Sequence, residues 1–142
     1  MTDVMPSTDR VSVFFYGLFM DADLLRAKGL RPEEVQRAHV SGYSLRIGER
    51  ATLVNDETGQ VHGIVMSLTQ DELDRLYAEP SVQAYRPQHV VAHLAGGDTI
   101  AALCYNLAQP PSPGERNPDY AAKLRKVAEK VGLPNEYIVT LQ

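Results

Sequence analysis

The chain has 142 residues, of which 44% are apolar and 23% charged, a composition typical of one globular domain. Its formal net charge of −4 and a pI near 5.5, with no basic stripe interleaved with aromatic residues, argue against nucleic-acid binding. No run approaches the roughly 18 apolar residues of a membrane span, and no basic segment precedes an apolar one at the N-terminus. We therefore expect a cytoplasmic protein that does not associate with membranes.

The N-terminal part of the chain predicts a tail, a strand and a short helix. Residues 1–10 contain Pro, Ser, Thr and two Asp without apolar periodicity, so we expect a flexible tail before a domain that spans 11–142. An apolar strand follows from Val11 to Tyr16. Asp21 is a plausible N-cap for a short helix that Gly29 ends.

The next segment is rich in strand signals. Residues 35–47 predict one strand, or a bent pair of strands, broken at Gly42. Residues 55–59, Asn-Asp-Glu-Thr-Gly, predict a turn, and 61–68 predict the strand that follows it.

The second half of the chain alternates helices and strands. Thr69 and Glu72 form a capping box, which marks the start of a helix. The predicted elements are a helix at about 70–78, a hairpin of strands 88–94 and 99–106, a proline-rich loop at 109–117, and a helix from Pro118 to Val131. Consecutive antiparallel strands with segregated helices predict an α+β fold.

One local feature points to a binding site near the N-terminus. The apolar strand stops at Gly17, and a helix signal begins only four residues later. A strand that turns here leaves backbone N–H groups unpaired and directed outward, where they can bind an anion. An ordinary strand-to-helix turn is the alternative.

Further motifs, together with this turn and in this order and spacing, make the chain resemble the γ-glutamylcyclotransferase-like family. The early Tyr16-Gly17 pair is followed by the helix segment 73–79, Leu-Asp-Arg-Leu-Tyr-Ala-Glu, and then by Tyr85-Arg86. Residues 117–120, Asn-Pro-Asp-Tyr, and 132–137, Gly-Leu-Pro-Asn-Glu-Tyr, are similar to the C-terminal region of the branch that acts on amino acids. The resemblance extends from about residue 11 to the end.

The resemblance implies a fold and a reaction. The fold is a small, mixed but mostly antiparallel β barrel surrounded by short helices. The reaction is an intramolecular aminolysis, in which the α-amino group of a small γ-glutamyl amino acid or amine attacks its own γ-carbonyl carbon and releases 5-oxoproline. It implies no metal and no cofactor, a small-molecule partner only, and a possible homodimer.

Glu79 is the residue that the resemblance assigns as general acid and base. It precedes Pro80 and therefore sits at the exit of the helix, near the negative end of the helix dipole. Leu76 and Val82 are expected to desolvate it, and both effects make the carboxylate readier to accept a proton. The alternative is a solvated glutamate at a helix end, which is the more common situation.

The resemblance also assigns substrate contacts. It implies that the backbone N–H groups of Tyr16, Gly17, Leu18 and Phe19 bind the substrate and that Tyr120 reaches it. The family commonly has Ser or Thr and then Asn or Leu after the first glycine, and a glycine after the glutamate, whereas this chain has Leu18, Phe19 and Pro80. A binding module without activity on the same fold, and a purely structural domain, thus remain alternatives. Tyr120 also has the helical register of a core tyrosine.

Other chemistry-bearing residues are expected to be structural. Tyr85, Arg86 and Tyr105 match patterned positions of the family, but a tyrosine on a strand usually packs. Cys104, the single cysteine, lies in an apolar strand and predicts a buried hydrophobe rather than a nucleophile. His89 and His93 share a strand face without a third ligand at metal spacing.

Overall fold

The computed structural model describes residues 10–141. In this range the strands are β1 (Arg10–Phe15), β2 (Glu33–Ile47), β3 (Ala51–Thr69), β4 (Tyr85–Leu94) and β5 (Thr99–Leu107). The helices are α1 (Ala22–Ala27), α2 (Gln70–Leu76), α3 (Pro118–Lys130) and α4 (Asn135–Ile138), and a short 3₁₀ helix covers Leu18–Met20. The predicted α+β class is confirmed.

The five strands form a closed barrel in the order β1-β3-β2-β4-β5. Neighbouring strands pair antiparallel except at the closure, where β1 runs parallel to β5 and Val13 lies opposite Leu103. The predicted mixed, mostly antiparallel barrel is thus confirmed. Its core includes Phe14 and Met66, and Leu25 of α1 and Leu124 of α3 are fully buried as well. Burial of these side chains is the main force that holds the helices on the barrel.

The local start and stop signals of the helices act as predicted. Asp21 caps α1 by accepting a hydrogen bond from the N–H of Asp23, and Gly29 follows the helix with φ +88°. Thr69 and Glu72 make both hydrogen bonds of the capping box at α2. Because these bonds satisfy N–H groups that a helix cannot pair internally, they fix where each helix begins.

The N-terminal boundary differs from the prediction by one residue. Arg10 is the first residue of β1 rather than the last of a tail, and its Nη2 donates to the carbonyl oxygens of Arg31 and Ser67. Residues 1–9, which make up the rest of the predicted tail, and residue 142 lie outside the described residues.

The predicted turn at 55–59 is wrong, because β3 continues through it. Asn55 lies opposite Tyr43 and Gln60 opposite Ser41. The residues between them, 56–59, therefore form a bulge in β3 instead of a turn. A side chain at Gly59 would overlap the carbonyl oxygen of Tyr43, which explains the glycine. The break predicted at Gly42 is confirmed as a bend, with φ +88° opposite the bulge.

The proline-rich loop packs on the short connection between β2 and β3. The Nδ2 of Asn117 donates to the carbonyl oxygen of Gly48 at 2.9 Å, and the N–H of Glu49 donates to Glu115 at 2.7 Å. These bonds hold Glu49 and Arg50 near the start of α3. Within residues 10–141, no helix is long and apolar enough to cross a membrane.

Candidate active site

A cavity of about 360 Å³ opens at the end of the barrel where β1 and β5 finish. Its walls come from the end of β1, the 3₁₀ helix, the connection 48–50, the segment after α2, and the first turn of α3. The cavity brings together all the site residues predicted from the sequence, namely Tyr16, Gly17, Leu18, Phe19, Glu79 and Tyr120. Segments more than 100 residues apart in the chain therefore meet around one small volume.

The backbone after β1 presents N–H groups to this cavity. Gly17 is the N-cap of the 3₁₀ helix, and its carbonyl oxygen accepts from Met20 at 3.0 Å. Leu18 and Phe19 occupy the first positions of this helix, so their N–H groups have no partner inside it. This arrangement can bind a carboxylate or the oxygen of a polarised carbonyl group.

Gly17 is required by space rather than by backbone conformation. Its φ of −111° is accessible to any residue, so the sharp turn expected at this glycine does not need a left-handed backbone. A Cβ atom at this position would lie only 2.9 Å from the hydroxyl oxygen of Tyr120. The glycine thus permits close approach of the tyrosine to the loop.

Tyr120 lies in the first turn of α3, which Asn117 caps by accepting the Tyr120 N–H at 3.1 Å. Its side chain is half-buried and lines the cavity, whereas the buried face of α3 is formed by Ala121, Leu124 and Ala128. Burial and the neighbouring Tyr85 raise the pKa of Tyr120 well above its usual range, although the Leu18 N–H opposes the shift. Tyr120 therefore keeps its proton and can donate a hydrogen bond to a ligand.

Glu79 lies in a turn two residues after Tyr77, the C-cap of α2. Both of its carboxylate oxygens accept from the Nζ of Lys28 at 3.0 Å. The side chain of Glu79 is 38% exposed and that of Lys28 is 31% exposed. The surroundings are therefore more polar than the sequence predicted.

The expected apolar neighbours of Glu79 are only partly present. Val82 lines the cavity with it, and its N–H donates to the Glu79 carbonyl oxygen at 3.0 Å. Leu76 instead faces the core and is 2% exposed. Lys28 was not predicted as a site residue, because a lysine at the end of a helix is ordinary.

Aromatic rings form the opposite wall of the cavity. Tyr77 stacks on Tyr105 with ring centroids 3.9 Å apart, and Phe19 meets Tyr77 edge to face at 6.0 Å. The Tyr16 hydroxyl donates to the carbonyl oxygen of Tyr105 at 2.7 Å. Tyr105 and Tyr85, which were expected to be structural, both line the cavity. Tyr77, Lys28, Glu49 and Arg50 are lining residues that the sequence reasoning missed.

A family model described as gamma-glutamyl cyclotransferase, AIG2-like, matches residues 13–123. The chain belongs to this family. AIG2-like protein A of Arabidopsis thaliana is 30% identical to it over 122 residues, which cover 81% of this chain and 74% of the plant protein. The family resemblance inferred from the motifs is confirmed.

Solved structures show the same fold. A structure named gamma-glutamyl cyclotransferase superposes with a TM-score of 0.78 at 20% identity, covering 94% of this chain and 86% of the other. An uncharacterised human protein superposes with a TM-score of 0.76 at 21% identity, covering 93% and 86%. At this identity the likeness concerns the fold alone.

The remaining candidates lie outside the cavity of this AIG2-like family member. Cys104 is fully buried, and burial raises the pKa of its thiol to about 12, so it is not poised as a nucleophile. Arg86 donates to nearby carbonyl oxygens on the surface. His93 stacks on His39, with ring centroids 4.9 Å apart, and His89 is exposed. Among residues 10–141, no group of three or more His, Cys, Asp or Glu side chains is arranged to hold a metal ion.

Proposed function

We propose that this protein releases 5-oxoproline from a small γ-glutamyl amino acid or amine, with Glu79 as general acid and base. The observation that carries the proposal is that one cavity is lined by Glu79, by the turn after β1 and by Tyr120. These three features are what the reaction needs: a proton acceptor, donors for a developing negative charge, and a polar contact that orients the substrate.

The substrate fits the cavity by charge. Its α-ammonium group pairs with Glu79, while its α-carboxylate and γ-carbonyl oxygens face the N–H groups of Leu18 and Phe19 and the Tyr120 hydroxyl. The aromatic wall of Tyr77 and Tyr105 covers the aliphatic part of the glutamyl chain. Because these walls lower the local dielectric constant, each polar contact is stronger than in water.

The reaction balances without any cofactor. Glu79 takes one proton from the α-ammonium group, and the freed amine attacks the γ-carbonyl carbon to form the ring C–N bond. The bond from that carbon to the leaving nitrogen then breaks. Glu79 returns its proton to the leaving nitrogen, which also takes the second proton lost by the attacking nitrogen. The products are 5-oxoproline and a protonated amine.

A binding module without activity is the second candidate. Two observations favour it: Leu18 and Phe19 provide no polar side chain in the loop, and Lys28 occupies both oxygens of Glu79. Backbone N–H groups do not depend on side-chain identity, so the donors of the loop persist despite the first observation. The second observation means that the substrate must displace Lys28 before Glu79 can act as the base.

The deciding experiment compares the wild-type protein with Glu79→Gln. The amide keeps the volume of the side chain but cannot accept a proton, and loss of a positioned general base typically lowers turnover by about 10²- to 10⁴-fold. We expect the upper end of this range for release of 5-oxoproline, because one group acts as both base and acid. The free energy of unfolding should change by less than about 1 kcal/mol, since a partly exposed ion pair contributes little.

Glu57→Gln is the matched control, because Glu57 is exposed on β3 and does not line the cavity. Release of 5-oxoproline by Glu79→Gln within threefold of wild type would refute the assignment of the base. Wild-type protein that binds γ-glutamyl compounds without turnover would support the binding module. Wild-type protein that does neither would leave only a structural role.

A further inference from the structure

The contact between Lys28 and Glu79 is built into the fold. Lys28 is the C-cap of α1, and its backbone N–H donates to the carbonyl oxygen of Leu25 at 3.0 Å. Leu25 is fully buried, so this end of α1 is fixed against the core. From there the Lys28 side chain reaches across the cavity to Glu79, 51 residues along the chain.

Lys28 occupies the place that the proposed substrate needs. An α-ammonium group and a lysine ammonium group have the same charge and the same donors, and both oxygens of Glu79 are already taken by Lys28. Binding of the substrate in the orientation that permits proton transfer must therefore displace the Nζ of Lys28. The lysine stem can rotate, because only its backbone is fixed.

The displaced ammonium group needs a new anion. The charged residues that line the cavity are Lys28, Arg50, Glu49 and Glu79. Once Glu79 pairs with the α-ammonium group, Lys28 is left beside an aromatic wall without the carboxylate that it contacts in the structure. Hydrogen bonds between charged groups are about twice as strong as neutral ones, so an anion binds the displaced ammonium group more tightly than a neutral group does. In the proposed pose the α-carboxylate faces the N–H groups after β1, so a carboxylate at the other end of the substrate is the group that remains to pair with Lys28.

We propose that Lys28 determines specificity by selecting substrates whose leaving amine carries a carboxylate, that is, γ-glutamyl amino acids over γ-glutamyl alkylamines. This inference rests on the proposed function. In the structure Lys28 pairs with the Glu79 carboxylate, and in the complex it binds the carboxylate of the leaving group.

The test uses two substrates that differ only in this carboxylate: γ-glutamylalanine and γ-glutamylethylamide. For wild type we expect kcat/KM to favour γ-glutamylalanine about tenfold, the value of one charge-assisted hydrogen bond, mostly through KM. Lys28→Met should bring the ratio of the two kcat/KM values near one, whatever its effect on the overall rate, because the group that binds the carboxylate is gone. Lys28→Arg should retain part of the preference.

Lys126→Met, on the exposed side of α3, is the control and should keep the wild-type ratio. Activity of Lys28→Met on γ-glutamylethylamide also reports that the variant is folded, and Lys28→Gln is the substitute if it is not. A ratio unchanged by either variant overturns this inference and leaves the proposed function intact. If wild type shows neither turnover nor calorimetric binding of the two compounds, both this inference and the proposed function are overturned.

Discussion

At the scale of single residues, the contact between Gly17 and Tyr120 decides the shape of the cavity. The two residues are more than 100 positions apart, yet the space for a Cβ at Gly17 is taken by the Tyr120 hydroxyl. Leu18, the next residue, begins the 3₁₀ helix whose first N–H groups have no partner inside it. The position of the tyrosine and the availability of the anion-binding N–H groups are therefore coupled.

We predict that Gly17→Ala weakens binding of 5-oxoproline or glutamate by displacing the Tyr120 hydroxyl. A new Cβ 2.9 Å from that oxygen forces it to shift, and the shift disturbs the donors around Leu18. The loss should be about tenfold in Kd, the value of one charge-assisted hydrogen bond, as measured by calorimetry or by amide NMR signals of residues 16–20.

Tyr120→Phe separates the steric effect from the loss of the hydroxyl. Alone, it should impair binding or turnover while changing the free energy of unfolding by less than about 1 kcal/mol, the typical value of one hydrogen bond. Because the hydroxyl is absent, adding Gly17→Ala to this variant should cost less than it does in wild type. A Gly17→Ala effect of the same size in both backgrounds would argue against the coupling.

At the scale of elements, α2 depends on the buried carboxylate of Glu72. Glu72 is 6% exposed, and its two oxygens accept from the N–H groups of Thr69 at 2.8 Å and Arg31 at 2.6 Å. Burial alone would raise the pKa of Glu72, but these hydrogen bonds and the nearby Arg10 outweigh it and lower the pKa. The residue ties the start of α2 to the segment that leads into β2, so it helps to fix the chain on both sides of the cavity.

We predict that Glu72→Gln lowers the free energy of unfolding by about 1–3 kcal/mol, because the amide NH₂ then faces a backbone N–H. Since the folded pKa of Glu72 is depressed, its contribution is present above the unfolded pKa and is lost as the pH falls through the folded pKa. Denaturant titrations at pH 7 and below pH 4 should show a smaller difference between variant and wild type at the lower pH. Equal differences at both values would contradict the role of the charge.

At the scale of the whole molecule, three histidines join the outside of the barrel to its C-terminal helix. His39 on β2 stacks on His93 of β4 at 4.9 Å and lies 5.5 Å from His62 of β3, measured between ring centroids. His62 in turn packs on Tyr137 of α4 at 5.0 Å. Burial, and then the neighbouring histidine, lowers the pKa of both His39 and His62, although Glu136 opposes the shift at His62.

We predict that the protein loses stability in mild acid because of this cluster. A histidine with a lowered folded pKa binds protons more readily in the unfolded chain, so the free energy of unfolding falls as the pH drops below the unfolded pKa of about 6.5. The loss levels off below the folded pKa. Thermal unfolding of wild type and His39→Gln between pH 8 and pH 5 should show a shallower decline in the variant. Parallel curves would exclude the cluster as the cause.

The sequence by itself determined the local elements and the identity of the main candidate residues. Capping bonds form within a few residues, so Asp21 and Thr69 are readable as helix starts without any knowledge of the fold. The order of the motifs likewise sufficed to indicate the family and to single out Glu79. These signals are local or depend on spacing along the chain, and the tertiary structure does not alter them.

Only the tertiary structure decided which residues share the cavity and what surrounds them. The same signal at 55–59 can make a turn or a bulge, and it makes a bulge because β2 continues alongside it. Closure of the barrel by β1 and β5, and the contact of Lys28 with Glu79, join residues far apart in sequence. No local pattern encodes such contacts, because they arise from how the buried faces of all the elements pack together.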